Sequence, residues 1–323
     1  MLTPLLFTPI YKDYIWGGER ISQKYSRKTT PRCAESWELS DHDHGMSVVE
    51  SGPWSGKTLR ELVERRAESL FGKDRRYSRF PLLIKLIDAK GRLSVQVHPN
   101  EKTAPFTGGD PKTEMWYALD GSPGMAVYAG LAEGTTPEIF AEHLRTGKMD
   151  SVLRRHELQP GEVVFIPGGL VHAIDCGCFL LEVQQNSDTT YRLWDWKRVD
   201  ASGNPRELHI EQAMKTIDWE KRENPCVRPS PPRKFGRNLE TCLIANDFFV
   251  MNSYKIKESQ TFDTKQRCFD IFFTTKGKVK IVWDGDFLSV GEGRTVLIPA
   301  SVGTYRLEPL TEEASEILYV TMP

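Results

Sequence analysis

Two histidines, a glutamate and a glutamine are the residues of this chain best suited to chemistry. Gln96 and His98 stand in Leu-Ser-Val-Gln-Val-His (93–98), and Glu114 stands in Lys-Thr-Glu-Met-Trp-Tyr (112–117). His172 closes Gly-Glu-Val-Val-Phe-Ile-Pro-Gly-Gly-Leu-Val-His (161–172). Imidazole nitrogen with a carboxylate suits Zn2+, and a catalytic zinc keeps a position open for water or substrate. A site without thiolate also admits iron, manganese or cobalt. Each histidine alone reads as an ordinary core or loop residue. Together, on short apolar runs broken by Gly and Pro, the four read as a metal centre.

Short strands must position such a centre. Residues 93–99 form one; its period of two puts Gln96 and His98 on one face and Val95 and Val97 on the other. Glu114 and Trp116 share a face of a strand over 113–119. Residues 34–40, 81–88, 125–131, 163–166 and 179–185 read as further strands, with Pro167-Gly168-Gly169 a sharp turn before His172. Lys85 interrupts the apolar run 81–88, so it faces the site or snorkels at the sheet edge. Helices are expected over 57–70 with Thr58 as cap, over 135–145 with Pro137 in the first turn, over 149–154 and over 208–216. His42 and His44, in Asp-His-Asp-His-Gly, read as a polar turn closed by Gly45.

Residues 224–234 carry Pro225, Pro229, Pro231 and Pro232 with three basic residues, and read as a linker. Short strands then recur over 248–256, 269–274, 279–283, 295–298 and 317–321, the pattern of a β sandwich or barrel. Gly161 is followed by Pro167 and His172, and Gly293 by Pro299 and Thr304 at the same spacings. The echo suggests two copies of one barrel, the second without ligands. The expected division is a metal-bearing catalytic domain with helical insertions over 1–223, a linker over 224–234 and a ligand-free barrel over 235–323.

Lys+Arg is 43 and Asp+Glu is 44, a net charge of −1, which argues against a nucleic-acid partner but not against a small phosphorylated ligand. The hydrophobic fraction of 39% supports a packed core. No apolar run approaches the ~20 residues of a membrane span, and the N-terminus lacks the pattern of a signal peptide. The expected compartment is the cytoplasm and the expected assembly a monomer or weak homo-oligomer. Cys176 and Cys178 are one residue apart and Cys33, Cys226, Cys242 and Cys268 are scattered, so free thiols are expected.

The segment from Gly161 to His172 fits the second cupin motif, and Glu114 to Gly121 fits the end of the first. The first motif departs from the pattern, with Gln96-x-His98 in place of His-x-His. That variant resembles the type I mannose-6-phosphate isomerases, particularly the short bacterial form. Further similarity lies in Glu35-Ser-Trp-Glu38, Pro81-Leu-Leu-Ile-Lys85, Lys112-Thr-Glu-Met-Trp116, Tyr191-Arg-Leu-Trp-Asp-Trp196 and Pro205-Arg-Glu-Leu-His209. The resemblance implies a mainly β (α+β) protein with two cupin or jelly-roll-like barrels and inserted helices. It implies an aldose–ketose isomerase interconverting mannose 6-phosphate and fructose 6-phosphate, with zinc held by Gln96, His98, Glu114 and His172. It also implies that Arg192 and Lys112 line the substrate site and that Glu182 falls where the family has a carboxylate proposed as base.

The chemistry agrees with those assignments. Moving a carbonyl between C1 and C2 needs a Lewis acid and one base that shuttles a proton. Glu182 suits the base if burial raises its pKa; its other reading is a structural partner of a lysine or arginine. The planar fork of Arg192 suits phosphate, whereas Trp194 and Trp196 read as core rather than sugar-stacking residues. Rival readings are an iron-dependent cupin oxygenase, disfavoured by a ligand set with a Gln and only two His, and a non-catalytic sugar-binding cupin.

Overall fold

The computed structural model describes residues 2–30, 32–199, 202–221 and 223–323. The chain divides into two compact units. One comprises Tyr11–Ser36 and Leu83–Val227; the other comprises Met1–Ile10, Trp37–Leu82 and Arg228–Pro323. The expected division was linear, with 1–223 as one body. Here the stretches 1–10 and 37–82 group with the C-terminal residues, and the junction at Val227/Arg228 falls inside the Pro-rich segment.

The unit that carries the candidate site is a sandwich of two antiparallel sheets. In one sheet the order is Leu153–Glu157, Ala126–Leu131, His172–Ile174, Val95–Val97, Tyr191–Trp194. In the facing sheet Cys226–Val227, Val163–Ile166, Glu114–Gly121, Cys178–Gln185 and Leu82–Ala89 follow one another. Side chains from both sheets, among them Ile87, Trp116, Ala118, Val127, Val164, Ile166, Ile174 and Leu180, form one buried cluster. The second core lies on the outer face of the first sheet, where Val95, Val97, Tyr128 and Leu193 pack with Phe140, Leu144 and Ala213.

The last three of these come from helices. Pro137–Thr146 starts where the Thr136 hydroxyl accepts from the Ile139 amide, with Pro137 supplying a preset φ, and it stops at Gly147 with φ +75°. Phe140 and Leu144, one turn apart, are its buried residues. Ala213 lies on Ile210–Thr216. The alternation of this sandwich therefore has a use for both faces: valines at 95 and 97 hold the helical layer, which leaves Gln96 for the interior between the sheets.

The helix expected over 149–154 is instead a single 3-10 turn, Met149–Ser151, followed by the strand Leu153–Glu157. The alternation Leu-Arg-Arg-His-Glu matches an edge strand pairing with Ala126–Leu131, and that pairing overrides the local helical tendency. The Pro-rich segment is not a free tether. Cys226 and Val227 pair with Val164 and Val163, and Arg233–Phe235 pairs with Asn238–Ala245.

The other unit is likewise a two-sheet sandwich. Its eight-stranded sheet runs from Arg233–Phe235 to Leu5–Thr8 and Val48–Val49, and its four-stranded sheet has the order Gln260–Asp263, Thr304–Pro309, Lys278–Trp283, Asp286–Gly291. Tyr254, Phe272, Ile281, Val296, Tyr305 and Leu307 share its core. The Thr58 capping box opens the helix Leu59–Phe71. His42 and His44 belong to a tight hairpin in which His42 pairs with Gly45. The sequence echo is structural too: Thr295–Ile298 leads through a 3-10 turn to Thr304, but the Thr304 side chain is exposed where His172 is buried.

Candidate metal centre and substrate cavity

Three strands bring the candidate ligands together between the two sheets of the site-bearing unit. His172 and Gln96 are direct partners across one sheet, and Glu114 pairs with Ile166 and Gln184 in the other. The Pro167-Gly168-Gly169 turn aligns the two histidine segments. A Cβ on Gly168 would stand 2.7 Å from the Pro99 carbonyl oxygen, so only glycine permits that approach. Gly169 takes φ +92°, and its amide donates to the His98 carbonyl at 2.8 Å. The two glycines after Pro167 are thus a backbone requirement of the turn.

Nitrogen and oxygen atoms of His98, Glu114 and His172 lie within 4.8 Å of one another, and all three residues are buried. His98 Nδ1–H donates to the Thr189 carbonyl and His172 Nδ1–H to the Leu170 carbonyl, each at 2.8 Å. Each Nε2 is thereby left as a lone pair aimed at Glu114, at 3.4 and 3.5 Å. Burial is the main cause that pushes both imidazoles down, reinforced for His98 by Lys112 and for His172 by His98; His172 falls to about 3. Both rings are therefore neutral near pH 7, and the contacts with Glu114 are not ion pairs. Burial opposes ionisation of Glu114, but Lys112 and the two rings outweigh it and hold the carboxyl well below its usual range.

His98 Nε2 and both Glu114 carboxylate oxygens are buried without a hydrogen-bond partner, although Lys112 Nζ stands 2.9 Å from Oε2. Orphaned acceptors of this kind, converging on one point, are costly unless something fills it. A divalent cation fits them: two neutral imidazoles, one carboxylate, and the Gln96 amide at 3.1 Å from His172 Nε2. The amide nitrogen faces His172 here, and a flip would present the oxygen instead.

A cavity of about 250 Å³ opens beside this group. Gln96 and Lys112 line it and touch the ligand set from that side; Glu182 and Arg192 line it as well. The seven candidate residues Gln96, His98, Lys112, Glu114, His172, Glu182 and Arg192 thus lie in one region of this unit. Trp194 and Trp196 pack against the helical core instead of the cavity. Lys85 faces the cavity rather than the sheet edge: it is buried, with Nζ 3.4 Å from Glu182 Oε1 and 3.7 Å from Glu35 Oε2. Burial disfavours the Lys85 ammonium, yet Glu35 and Glu182 outweigh it and raise its pKa.

Glu182 Oε2 accepts from Trp116 Nε1 at 2.8 Å. Burial first, and the Glu114 charge second, push its carboxyl above the ordinary range, with Lys85 pulling the other way. Burial dominates, so Glu182 takes up a proton more readily than an exposed glutamate.

Several lining residues had no assigned role in the sequence: Tyr14, Trp16, Glu35, Ser94, Asp188 and Arg206. Tyr14 and Trp16 stack at 5.6 Å as an aromatic wall, and burial, then Glu35, pushes the Tyr14 hydroxyl up to about 12. Glu35 and Arg206 had a signal, since each stands in a motif that carries the family resemblance, and Ser94 stands beside Gln96 on a strand read from the sequence; Tyr14, Trp16 and Asp188 had none.

Residues 5–129 match the model of the type I phosphomannose isomerase catalytic domain. Over 318 residues the chain is 35% identical to mannose-6-phosphate isomerase ManA of Bacillus subtilis, covering 96% of this chain and 97% of that protein. The chain belongs to the type I mannose-6-phosphate isomerase family. A mannose-6-phosphate isomerase of Streptococcus mutans is 35% identical over 262 residues, 80% of this chain and 81% of its own. The crystal structure of the mannose 6-phosphate isomerase from Bacillus subtilis superposes with a TM-score of 0.90 at 28% identity, covering 100% of both chains. Members of this isomerase family thus share the double cupin-like sandwich seen here. No helix among the described residues is long and apolar enough to cross a membrane.

Proposed function

We propose that this chain interconverts mannose 6-phosphate and fructose 6-phosphate, with a zinc ion held by Gln96, His98, Glu114 and His172. The observation that carries this reading is the convergence of orphaned His98 and Glu114 atoms beside a cavity lined by both a buried carboxylate and an arginine. The bound metal supplies Lewis acidity, which favours negative charge on the sugar oxygens. Glu182 takes a proton from the carbon next to the carbonyl and returns it to the neighbouring carbon, while the hydroxyl proton passes from one sugar oxygen to the other. Its raised pKa makes it a competent acid in the return step, and the Trp116 and Lys85 contacts hold its orientation. Lys112 places a cation beside the reacting oxygens, and Arg192 binds phosphate at the substrate end of the cavity.

The residues 11–36 and 83–227 form the catalytic part; the sandwich completed by 228–323 takes no part in the chemistry. A charged phosphate ester does not cross a bilayer unaided, which supports a cytoplasmic enzyme that meets its substrate where it is made. All six cysteines are free thiols, as suits a reducing compartment.

The test is a coupled assay of purified protein with mannose 6-phosphate, before and after chelation and after adding back single divalent metals. Fructose 6-phosphate should form, vanish on chelation and return best with zinc. Absence of product with every divalent metal refutes the isomerase reading; oxygen uptake without isomerisation favours an oxygenase. Arg192→Ala should keep its metal but lose phosphosugar affinity, and normal kinetics would make Arg192 structural.

A further inference from the structure

The cations of the cavity are not equally available. Lys112 stands against Glu114, and Lys85 lies between Glu35 and Glu182. Arg192, among the described residues, makes no ion pair: Nη1 donates to the Glu207 carbonyl at 2.8 Å, and Nε is buried without a partner. Next to it lies a second guanidinium. Arg206 lines the same cavity and donates through Nε to Asp195 Oδ2 at 2.8 Å and through Nη2 to Asp195 Oδ1. Asp195 also accepts from Arg198.

Asp195 is thus shared by two guanidiniums, Arg198 and Arg206, while Arg192 feels its charge and that of Glu207 without pairing to either. That excess is felt: burial and then the Arg206 charge depress the pKa of Arg192. Like charges held together in a partly dry site are unfavourable unless an anion joins them. Asp195 occupies only one side of the Arg206 fork, which leaves Nη1 for a further acceptor.

We propose that Arg206 is a second phosphate-binding residue, forming with Arg192 a two-guanidinium cradle at one end of the cavity, with Asp195 as the positioning residue that orients Arg206. The proposal rests on the reading of the substrate as a phosphosugar and adds the residue that sets its preference for a dianion. Two forks can meet several oxygens of one phosphate, whereas a neutral sugar leaves the pair unneutralised.

The experiment combines kinetics on mannose 6-phosphate with calorimetric titration of inorganic phosphate into the metal-loaded protein. Arg206→Met should raise both KM and the phosphate Kd on the order of 10- to 100-fold, as for one lost charge-assisted pair. The loss should fall on KM more than on kcat. Arg206→Lys, which keeps the charge but not the fork, should lie between Arg206→Met and the wild type. Asp195→Asn should raise KM and phosphate Kd by a smaller factor, with metal content unchanged. Unchanged KM and phosphate Kd in Arg206→Met overturn the proposal; should that variant not fold, the same result in Arg206→Lys does. Absence of phosphate binding to wild type also overturns it. Wild-type protein that binds phosphate through Arg206 yet never converts mannose 6-phosphate would instead overturn the isomerase reading.

Discussion

Replacing Lys85 by methionine tests the electrostatics of the cavity most directly. The Lys85 side chain is 4% exposed and the Glu182 side chain 5%, and one ammonium serves both Glu182 and Glu35. Methionine keeps the length and apolar stem but removes the cation shared by two carboxylates. Removing one partner of a buried pair costs about 3–5 kcal/mol, and water in the cavity should bring the cost to about 3 kcal/mol, the low end of that range. The sign with pH follows from Glu182. Burial holds its folded-state pKa above the ordinary value, and loss of Lys85 raises it further. A raised carboxyl pKa means the folded state binds the proton more tightly than the unfolded state does. Its contribution to stability is therefore largest at acid pH and is lost as pH rises through the folded pKa.

Urea unfolding followed by tryptophan fluorescence should show the full deficit at about pH 8 and a smaller one at about pH 5.5. The acid limb of the pH–rate profile of the variant should move upward at the same time. A deficit below about 1 kcal/mol, the level of an exposed pair, would refute the buried ion triad. A deficit unchanged between the two pH values would refute Glu182 as the titrating group.

His98→Ala and His172→Ala should each lose the metal; full metal content in both, by elemental analysis, would remove them from the ligand set. Gly169→Ala forces a Cβ onto a backbone at φ +92° and disturbs the amide bonded to the His98 carbonyl. It should cost about 1 kcal/mol or more in stability and weaken metal affinity, and a wild-type melting curve and metal content would count against that role of the turn. A chain ending near residue 230 loses Thr295–Ile298, the strand on which Leu5 and Leu6 pair. It should be poorly soluble or melt well below the full chain by calorimetry; an equal Tm would show that the N-terminal strand needs no such partner.

Much of the site could be read in order along the chain. Alternation alone placed Gln96 opposite Val95 and Val97, because a strand has only two faces. The glycines after Pro167 marked a backbone that must turn and be approached closely, and both demands are met at Gly168 and Gly169. Lys85 was visible as an anomaly: a lysine in an apolar strand has to find a counter-charge. Which carboxylates answer it was not visible, since Glu35 and Glu182 are far from it in sequence.

The helix expected over 149–154 gives way to a turn and a strand for a related reason. A short amphipathic stretch fits a helix turn or an edge strand equally well, and only the neighbouring strand decides. The grouping of 1–10 and 37–82 with 228–323 was equally hidden, because strand partners are chosen by register and buried area, not by nearness along the chain.

By itself the sequence determined the donor types, their spacing and the strands that carry them, because residue chemistry and the period of two are local. Tertiary structure alone decided that the lone pairs and carboxylate oxygens of His98, His172 and Glu114 converge with no hydrogen bond to occupy most of them. It alone decided that Arg206 joins Arg192 while Trp194 and Trp196 turn to the core. Convergence depends on how two sheets face each other, and no local pattern encodes that distance.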